Sequence, residues 1–144
     1  MGYRRGIHLY ADHRGDLPGT FVWKDDVAVA FLSINPLNTG HVLVVPRDEV
    51  DHWLDLSPDV AQHLMAVSQA IGRALQDAFQ PERIGLMIAG FEVPHCHVHV
   101  VPMNGMHHLD MANAASSVDP DDLEQAAGAI RSALRNQGQS QVAD

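Results

Sequence analysis

Between Pro94 and Pro102 the chain reads PHCHVHVVP, with His95, His97 and His99 at every second position and Cys96, Val98 and Val100 after them in turn. Alternation of this kind suits an extended strand, whose successive side chains point to opposite faces. One face is then apolar and belongs to a core. The other carries three imidazoles, and burying them without partners would cost several kcal/mol. Three titratable rings on one face of one strand point to a site rather than to packing.

Two chemistries could use such a row. His-x-His pairs are common metal ligands, and neutral imidazole suits zinc. Same-face positions are roughly 6.6 Å apart, so His95 and His99 stand about 13 Å apart at the backbone. Bonds of about 2.0–2.1 Å leave little slack to gather both outer rings onto one ion. Two rings could ligate easily, and no carboxylate or Cys partner stands at a convincing spacing. A phosphate fits the row better, since its oxygens spread outward and each hydrogen bond adds nearly 3 Å. The neutral central ring would act as nucleophile while protonated neighbours stabilise the developing charge.

The 144 residues fit one domain, and 46% hydrophobic content is ordinary for a globular core. A formal net charge of −9 argues against general nucleic-acid binding but leaves room for a small phosphorylated ligand in a local pocket. Cys96 is the only cysteine, which excludes an intramolecular disulfide and a Cys-rich zinc site. The start of the chain lacks the apolar run of a signal peptide, and no 18-residue apolar stretch occurs. The expectation is a soluble, cytoplasmic domain with no membrane partner.

Phe21 to Lys24 and Val27 to Ile34 read as two strands around an Asp25-Asp26 turn. NPLNTG, residues 35–40, is a loop, and HVLVVP, residues 41–46, is a strand apolar on both faces. Ser57 can cap a helix with Pro58 in its first turn and Val60, Leu64, Val67, Ile71 and Leu75 along one side. Residues 83–90 form another strand, followed by the histidine strand and an aperiodic stretch over 103–118. A second helix covers about 120–136, with Leu123, Ala127, Ile130 and Leu134 on one face, and residues 137–144 are expected to fray. His52 and Trp53 are expected to pack over the sheet edge, and His63 to be exposed. Antiparallel strands with two helices on one side make an α+β domain, with a core over about 15–111.

At these residues the chain resembles a known family. His95-Cys96-His97-Val98-His99-Val100-Val101 matches the His-φ-His-φ-His-φ-φ signature of the histidine triad (HIT) proteins, where φ is apolar. The stretch from DLPGTF to DEVDHW is similar to the family's N-terminal half, so the resemblance runs from about Gly15 to Val101. It looks most like small bacterial members of the nucleoside-phosphoramidate hydrolase (Hint-like) branch. His99 supports that branch, because the uridylyltransferases carry Gln at its place.

The resemblance implies a HIT-like fold with a sheet of about five strands, usually joined with a second subunit into a continuous sheet. It implies a nucleotide hydrolase or transferase acting at the α-phosphate of a phosphoramidate, adenylylated or dinucleoside-polyphosphate substrate, with an AMP- or GMP-like moiety. His97 corresponds to the nucleophile that forms a nucleotidyl-histidine intermediate, His95 and His99 to the flanking members, and His41 to a histidine supporting the nucleophile's ring. Nucleotide contacts are implied at Phe31, Ser33, Ile34 and Asn35, and at the backbone after Glu92, at Val93. No cofactor and no metal are expected, since IHLYADH stands where many relatives have a zinc-binding Cys-x-x-Cys. Ser33 aligns with a ribose-binding Asp, Ala89 with an Asn, and Glu92 with a leaving-group-binding Ser. A carboxylate beside a phosphate is repulsive, so Glu92 is either a solvated loop acid or handles a proton of the leaving group or attacking water. Two rivals stand beside the hydrolase: a nucleotide-binding or interaction protein with incidental turnover, and a metal enzyme using His95 and His97.

Overall fold

The computed structural model describes residues 19–144; the IHLYADH segment and the Leu17-Pro18 start of the resemblance lie outside them. Five antiparallel strands form one sheet: β1 (Phe21–Lys24), β2 (Ala28–Leu32), β3 (Val42–Pro46), β4 (Arg83–Met87) and β5 (Val98–Met103). Their spatial order is β1-β2-β3-β5-β4, so the histidine strand is interior and β4 is an edge. Among the described residues two α-helices, α1 (Pro58–Phe79) and α2 (Pro120–Asn136), accompany the sheet in an α+β architecture.

Asp25 organises the first hairpin. Its Oδ1 accepts the N–H groups of Val27 and Ala28 at 2.7 and 2.8 Å, while Oδ2 accepts Trp23 Nε1–H at 2.8 Å and the His63 ring N–H at 2.7 Å. This explains why β2 begins at Ala28 rather than at Val27. It also corrects the expectation for His63, which is half-buried against the turn and ties α1 to it. At the other end β2 stops at Leu32, two residues early, because the Ser33 hydroxyl accepts Asn35 N–H at 3.1 Å and turns the chain.

Ser57 caps α1 by accepting Val60 N–H at 3.2 Å, and Leu64, Val67, Ile71 and Leu75 are buried along the expected stripe. Asp119 caps α2 in the same manner. Both helices pack on one face of the sheet, against Val22, Ala28, Ala30, Leu32, Val42, Val44, Cys96, Val98 and Val100. The opposite face holds a smaller cluster of Phe21, Val29, Phe31, Leu43, Val45 and Ala143. Buried Arg131 fastens α2 to β1 through two hydrogen bonds to the Phe21 carbonyl, at 2.7 and 3.0 Å.

Three other expectations need correction. β4 ends at Met87 rather than at residue 90, and Gly90 then takes a left-handed φ of 93° in the bend that follows. Residues 103–118 are not featureless: β5 runs to Met103 and two short 3-10 turns follow, Met106–Leu109 and Met111–Asn113. The C-terminal residues do not fray. Lys24 N–H bonds to the Gln141 carbonyl at 3.0 Å, Ala143 N–H bonds to the Val22 carbonyl at 3.1 Å, and Trp23 and Val142 form a bridge. The otherwise open edge of β1 thereby satisfies its backbone groups.

Burial raises the Asp25 pKa, but the hydrogen bonds from Trp23, Val27, Ala28 and His63 outweigh it and hold the carboxyl below its ordinary 3.8. A depressed folded pKa gives stability that is complete above the unfolded value and lost as pH falls through the folded one. Urea unfolding of Asp25→Ala should therefore show a loss of about 2–3 kcal/mol at neutral pH. The gap to wild type should narrow only below about pH 4.

Candidate functional site

The site is assembled where the loop after β2 meets the start of β5. That loop, residues 33–40, ends on Gly40, whose φ is 90° and whose missing Cβ would lie 2.6 Å from the Phe79 ring. A side chain there would be strained and would clash, so glycine is required for the chain to enter β3 at this angle. His41 follows, and its backbone carbonyl accepts Ser33 N–H at 3.0 Å.

A directional chain of hydrogen bonds then sets the protonation of the rings. Leu37 N–H donates to His41 Nδ1 at 3.0 Å. A backbone amide can only donate, so Nδ1 is the acceptor nitrogen and the neutral ring carries its proton on Nε2. His41 Nε2–H therefore donates to His99 Nδ1, 2.9 Å away. His99 in turn carries its proton on Nε2. The third ring has the opposite tautomer: His97 Nδ1–H donates to the His95 carbonyl at 2.7 Å, leaving a lone pair on Nε2.

Two nitrogens thus converge with opposite character, a lone pair on His97 Nε2 and an N–H on His99 Nε2. Both are buried and have no hydrogen-bond partner. The ring centroids are 4.9 Å apart. Glu92 closes the group, with Oε1 3.6 Å from His99 Nε2 and 3.9 Å from His97 Nε2. These are contacts between charges and dipoles rather than hydrogen bonds.

Burial, followed by the neighbouring rings of His99 and His97, pushes the His41 pKa down to about 3. Burial and the His97 ring push His99 down to about 4, against the opposing pull of Glu92. Both rings are neutral at physiological pH. That overturns the expectation of protonated neighbours around the central ring: His99 acts as a neutral donor, not as a cation.

The expected site residues fall into different places. His41, His97, His99 and Glu92 come together. His41 does not reach the His97 ring, as the resemblance implied, but holds His99; the His97 ring is held by the His95 backbone. The His95 side chain is fully buried, and its Nε2 bonds to the Pro46 carbonyl at 2.8 Å, which locks the segment before β5 against β3. Phe31 is buried in the small core cluster. The Ser33 side chain is occupied in the turn, and Asn35 Nδ2 donates to the Ser116 carbonyl at 2.9 Å, tying the loop to residues 115–116. Ile34 is half-buried between them. Val93 is buried, and its carbonyl accepts His95 N–H at 2.8 Å.

Beside His97 opens a cleft of about 290 Å³, lined by Asp51, His52, Trp53, residues 88–91, and Cys96. His52 and Trp53 are exposed along it rather than packed down over the sheet edge. Asp51 and Phe91 carried no sequence signal for this role, and neither did the Leu37 amide, which acts through its backbone. The Cys96 thiol is pushed up to about 11 by burial and by Asp51, so it is inert as a nucleophile.

Glu92, His97 and His99 each offer one ligand atom within 4.8 Å of the others, a donor set that could hold a metal. The ring protonation opposes it. His99 could ligate through Nε2 only by losing the proton that His41 obliges it to keep there. His97 and Glu92 alone have the right form.

A protein-family model described as the HIT domain matches residues 14–106. The chain is 30% identical to Protein hit of Bacillus subtilis over 130 residues, covering 83% of this chain and 88% of that one. It is 31% identical over 93 residues to a bifunctional bis(5'-adenosyl)-triphosphatase/adenylylsulfatase of Arabidopsis thaliana, covering 61% of this chain and 52% of the relative. Among solved structures, a Hit-like protein involved in cell-cycle regulation from Bartonella henselae, holding an unknown ligand, superposes with a TM-score of 0.73 at 29% identity. That superposition covers 83% of this chain and 90% of the other. The fold and the site thus define a histidine triad domain of the nucleotide hydrolase and transferase kind. The chain belongs to the HIT family.

The tautomers are directly observable. Long-range 1H–15N spectra should show the proton on Nδ1 in neutral His97 and on Nε2 in His41 and His99. The His41 and His99 shifts should stay flat from pH 8 to about 5, because these rings titrate only near 3 and 4. The unfolded chain takes up those protons near pH 6.5, so folding stability should decline as pH drops from about 6.5 toward 4.

Proposed function

We propose that the protein hydrolyses, or transfers, a nucleotidyl group by attack of His97 on the α-phosphorus of a nucleoside phosphoramidate or related adenylylated substrate. One observation carries this reading: His97 Nε2 is a buried lone pair with no partner, its other nitrogen being fixed as a donor to the His95 carbonyl. A neutral imidazole held in one tautomer is a competent nucleophile, and it needs no base to deprotonate it. Attack forms an N–P bond as the bond to the leaving group breaks. The leaving nitrogen takes up a proton from solvent as the P–N bond breaks and departs as the neutral amine. Water then cleaves the N–P bond, giving its proton to the carboxylate of Glu92. His99 Nε2–H is placed to donate to a phosphoryl oxygen in both steps.

The Arabidopsis relative's two activities, on a dinucleoside triphosphate and on an adenylyl sulfate, both concern adenylyl compounds and support the same chemistry here. Glu92 beside the nucleophile favours a basic leaving group over a polyphosphate. By the family resemblance we also propose an AMP- or GMP-like moiety, contacting Phe31, Ser33, Ile34 and Asn35 at the end of β2 and the Val93 backbone at the reacting end. Such a substrate suits a cytoplasmic enzyme that requires no cofactor.

We also infer a homodimer built on the β4 edge. Among the described residues the strand has a neighbour on one side only, and Leu86, Ile88, Met65 and Trp53 leave an exposed apolar groove between it and α1. Ser68, buried in α1 without a hydrogen-bond partner, faces the same groove. Pairing two β4 edges would continue the sheet across a two-fold axis and cover the groove.

His97→Ala should reduce hydrolysis of adenosine 5'-phosphoramidate at least about a thousandfold while leaving the far-ultraviolet circular dichroism unchanged. In rapid-quench experiments wild type should accumulate an acid-labile adenylyl-protein that the variant lacks; wild-type rates in the variant would remove the nucleophile assignment. For the dimer, light scattering should give twice the 15.7 kDa chain mass for wild type and a monomer for Leu86→Arg. A wild-type monomer at micromolar concentration would contradict it.

A further inference from the structure

The space a phosphoryl group must enter is already held by an anion. For attack, phosphorus has to come within about 3–3.5 Å of His97 Nε2, and an oxygen within hydrogen-bond distance of His99 Nε2–H. Glu92 Oε1 stands 3.9 Å from the first nitrogen and 3.6 Å from the second, in that same space. Neither nitrogen has appreciable solvent contact while it is there. The substrate must therefore displace this carboxylate sideways and then lie beside it.

Among the described residues little cancels its charge. His41 and His99 are neutral at physiological pH, through burial. No lysine or arginine pairs with Glu92 among the described residues, its ion-pair contacts being the two histidine rings. The Glu92 side chain is 29% exposed, against 6% for His97, so its carboxylate stands nearer solvent than the nucleophile does. A phosphoryl group bonded to His97 Nε2 must lie beside its carboxylate, which is 3.9 Å from that nitrogen.

We infer that Glu92 makes the site a charge filter, which admits a nucleotide whose phosphoryl group carries one negative charge and expels one that carries two. A phosphoramidate or any α-phosphodiester is a monoanion at pH 8, whereas a nucleoside monophosphate, whose second pKa is near 6, is a dianion. Coulomb repulsion from one fixed charge scales with the charge of the ligand, so the penalty falls about twice as heavily, on a logarithmic scale, on the product as on the substrate. A serine at this position would bind both and be inhibited by its own product. With Glu92 the hydrolysis step creates the second charge, and that charge drives release once the carboxyl has returned its proton to solvent. The inference rests on the nucleotidyl-transfer reading for the identity of the ligand, but its consequence is a matter of binding and does not depend on turnover.

The test compares two adenosine ligands of nearly equal shape by calorimetry at pH 8: AMP, the dianion, and adenosine 5'-methylphosphonate, the monoanion. Glu92→Gln keeps the size of the side chain and removes its charge. The variant should bind AMP about tenfold more tightly than wild type and the methylphosphonate only about threefold more tightly, the ratio that a doubled charge requires. Product inhibition by AMP should strengthen in parallel. Equal gains for the two ligands, or none, would overturn the filter while leaving the nucleotide reading standing. Failure of both proteins to bind either ligand would overturn the two together.

Discussion

The active geometry hangs on one backbone amide. Leu37 N–H points at His41 Nδ1, and because an amide can only donate, the direction of every later hydrogen bond is settled. The proton of His41 is forced to Nε2, the proton of His99 is forced away from His41, and an N–H is left facing the pocket. No charged group is needed for this. The loop that carries Leu37 is shaped by Gly40 and by the hydroxyl of Ser33, so two small residues remote from the reacting atoms decide which nitrogen bears a proton.

Burial of four histidines in a chain of this size calls for an account of their polar atoms. His41 uses both nitrogens, and His95 gives Nε2 to the Pro46 carbonyl. His97 and His99 each satisfy one nitrogen inside the protein and leave the other bare. Unsatisfied buried nitrogens are destabilising, and they are retained here at the two positions where a substrate would supply the missing partner. The sheet bears the cost: β5 is interior, and its other face, with Cys96, Val98 and Val100, is embedded in the main core under α1 and α2.

The parts of this arrangement that follow from side-chain periodicity are legible in the sequence. The period of two over residues 95–100 separates core from site, and the three- to four-residue spacing of Leu64, Val67, Ile71 and Leu75 gives α1 its buried face. What is not legible depends on hydrogen bonds between side chain and backbone. Strand β2 is shorter at both ends than its β-branched composition suggests, because Asp25 and Ser33 take amides that a longer ladder would use. The tail of residues 137–144 reads as polar and loose, yet its residues 141–143 dock because β1 offers an open edge, which is a property of topology and not of the tail. In the site, the triad is evident but its wiring is not. His95 contributes its carbonyl to the nucleophile, and the role of His41 passes to His99, since neither choice is written in residue spacing. Glu92 lies only five residues before His97, and no pattern in the sequence could say that the bend around Gly90 returns its carboxylate to the ring.

That carboxylate gives the pocket an unusual electrostatic balance. Phosphoryl-binding sites commonly supply a standing positive charge, whereas here His41 and His99 are neutral and the fixed charge beside them is negative. Binding must then come from the nucleoside and from preorganised N–H donors. If His97 carries the chemistry proposed for it, positive charge develops on its ring only as the N–P bond forms, with Glu92 Oε1 3.9 Å from the bonding nitrogen. The carboxylate therefore repels the ground-state anion and attracts the developing imidazolium. Total charge is conserved in the step, but its positive end develops beside Glu92, so the carboxylate disfavours the bound substrate more than the transition state and lowers the barrier between them. A neutral serine cannot do this, and a fixed cation at this position would do the reverse.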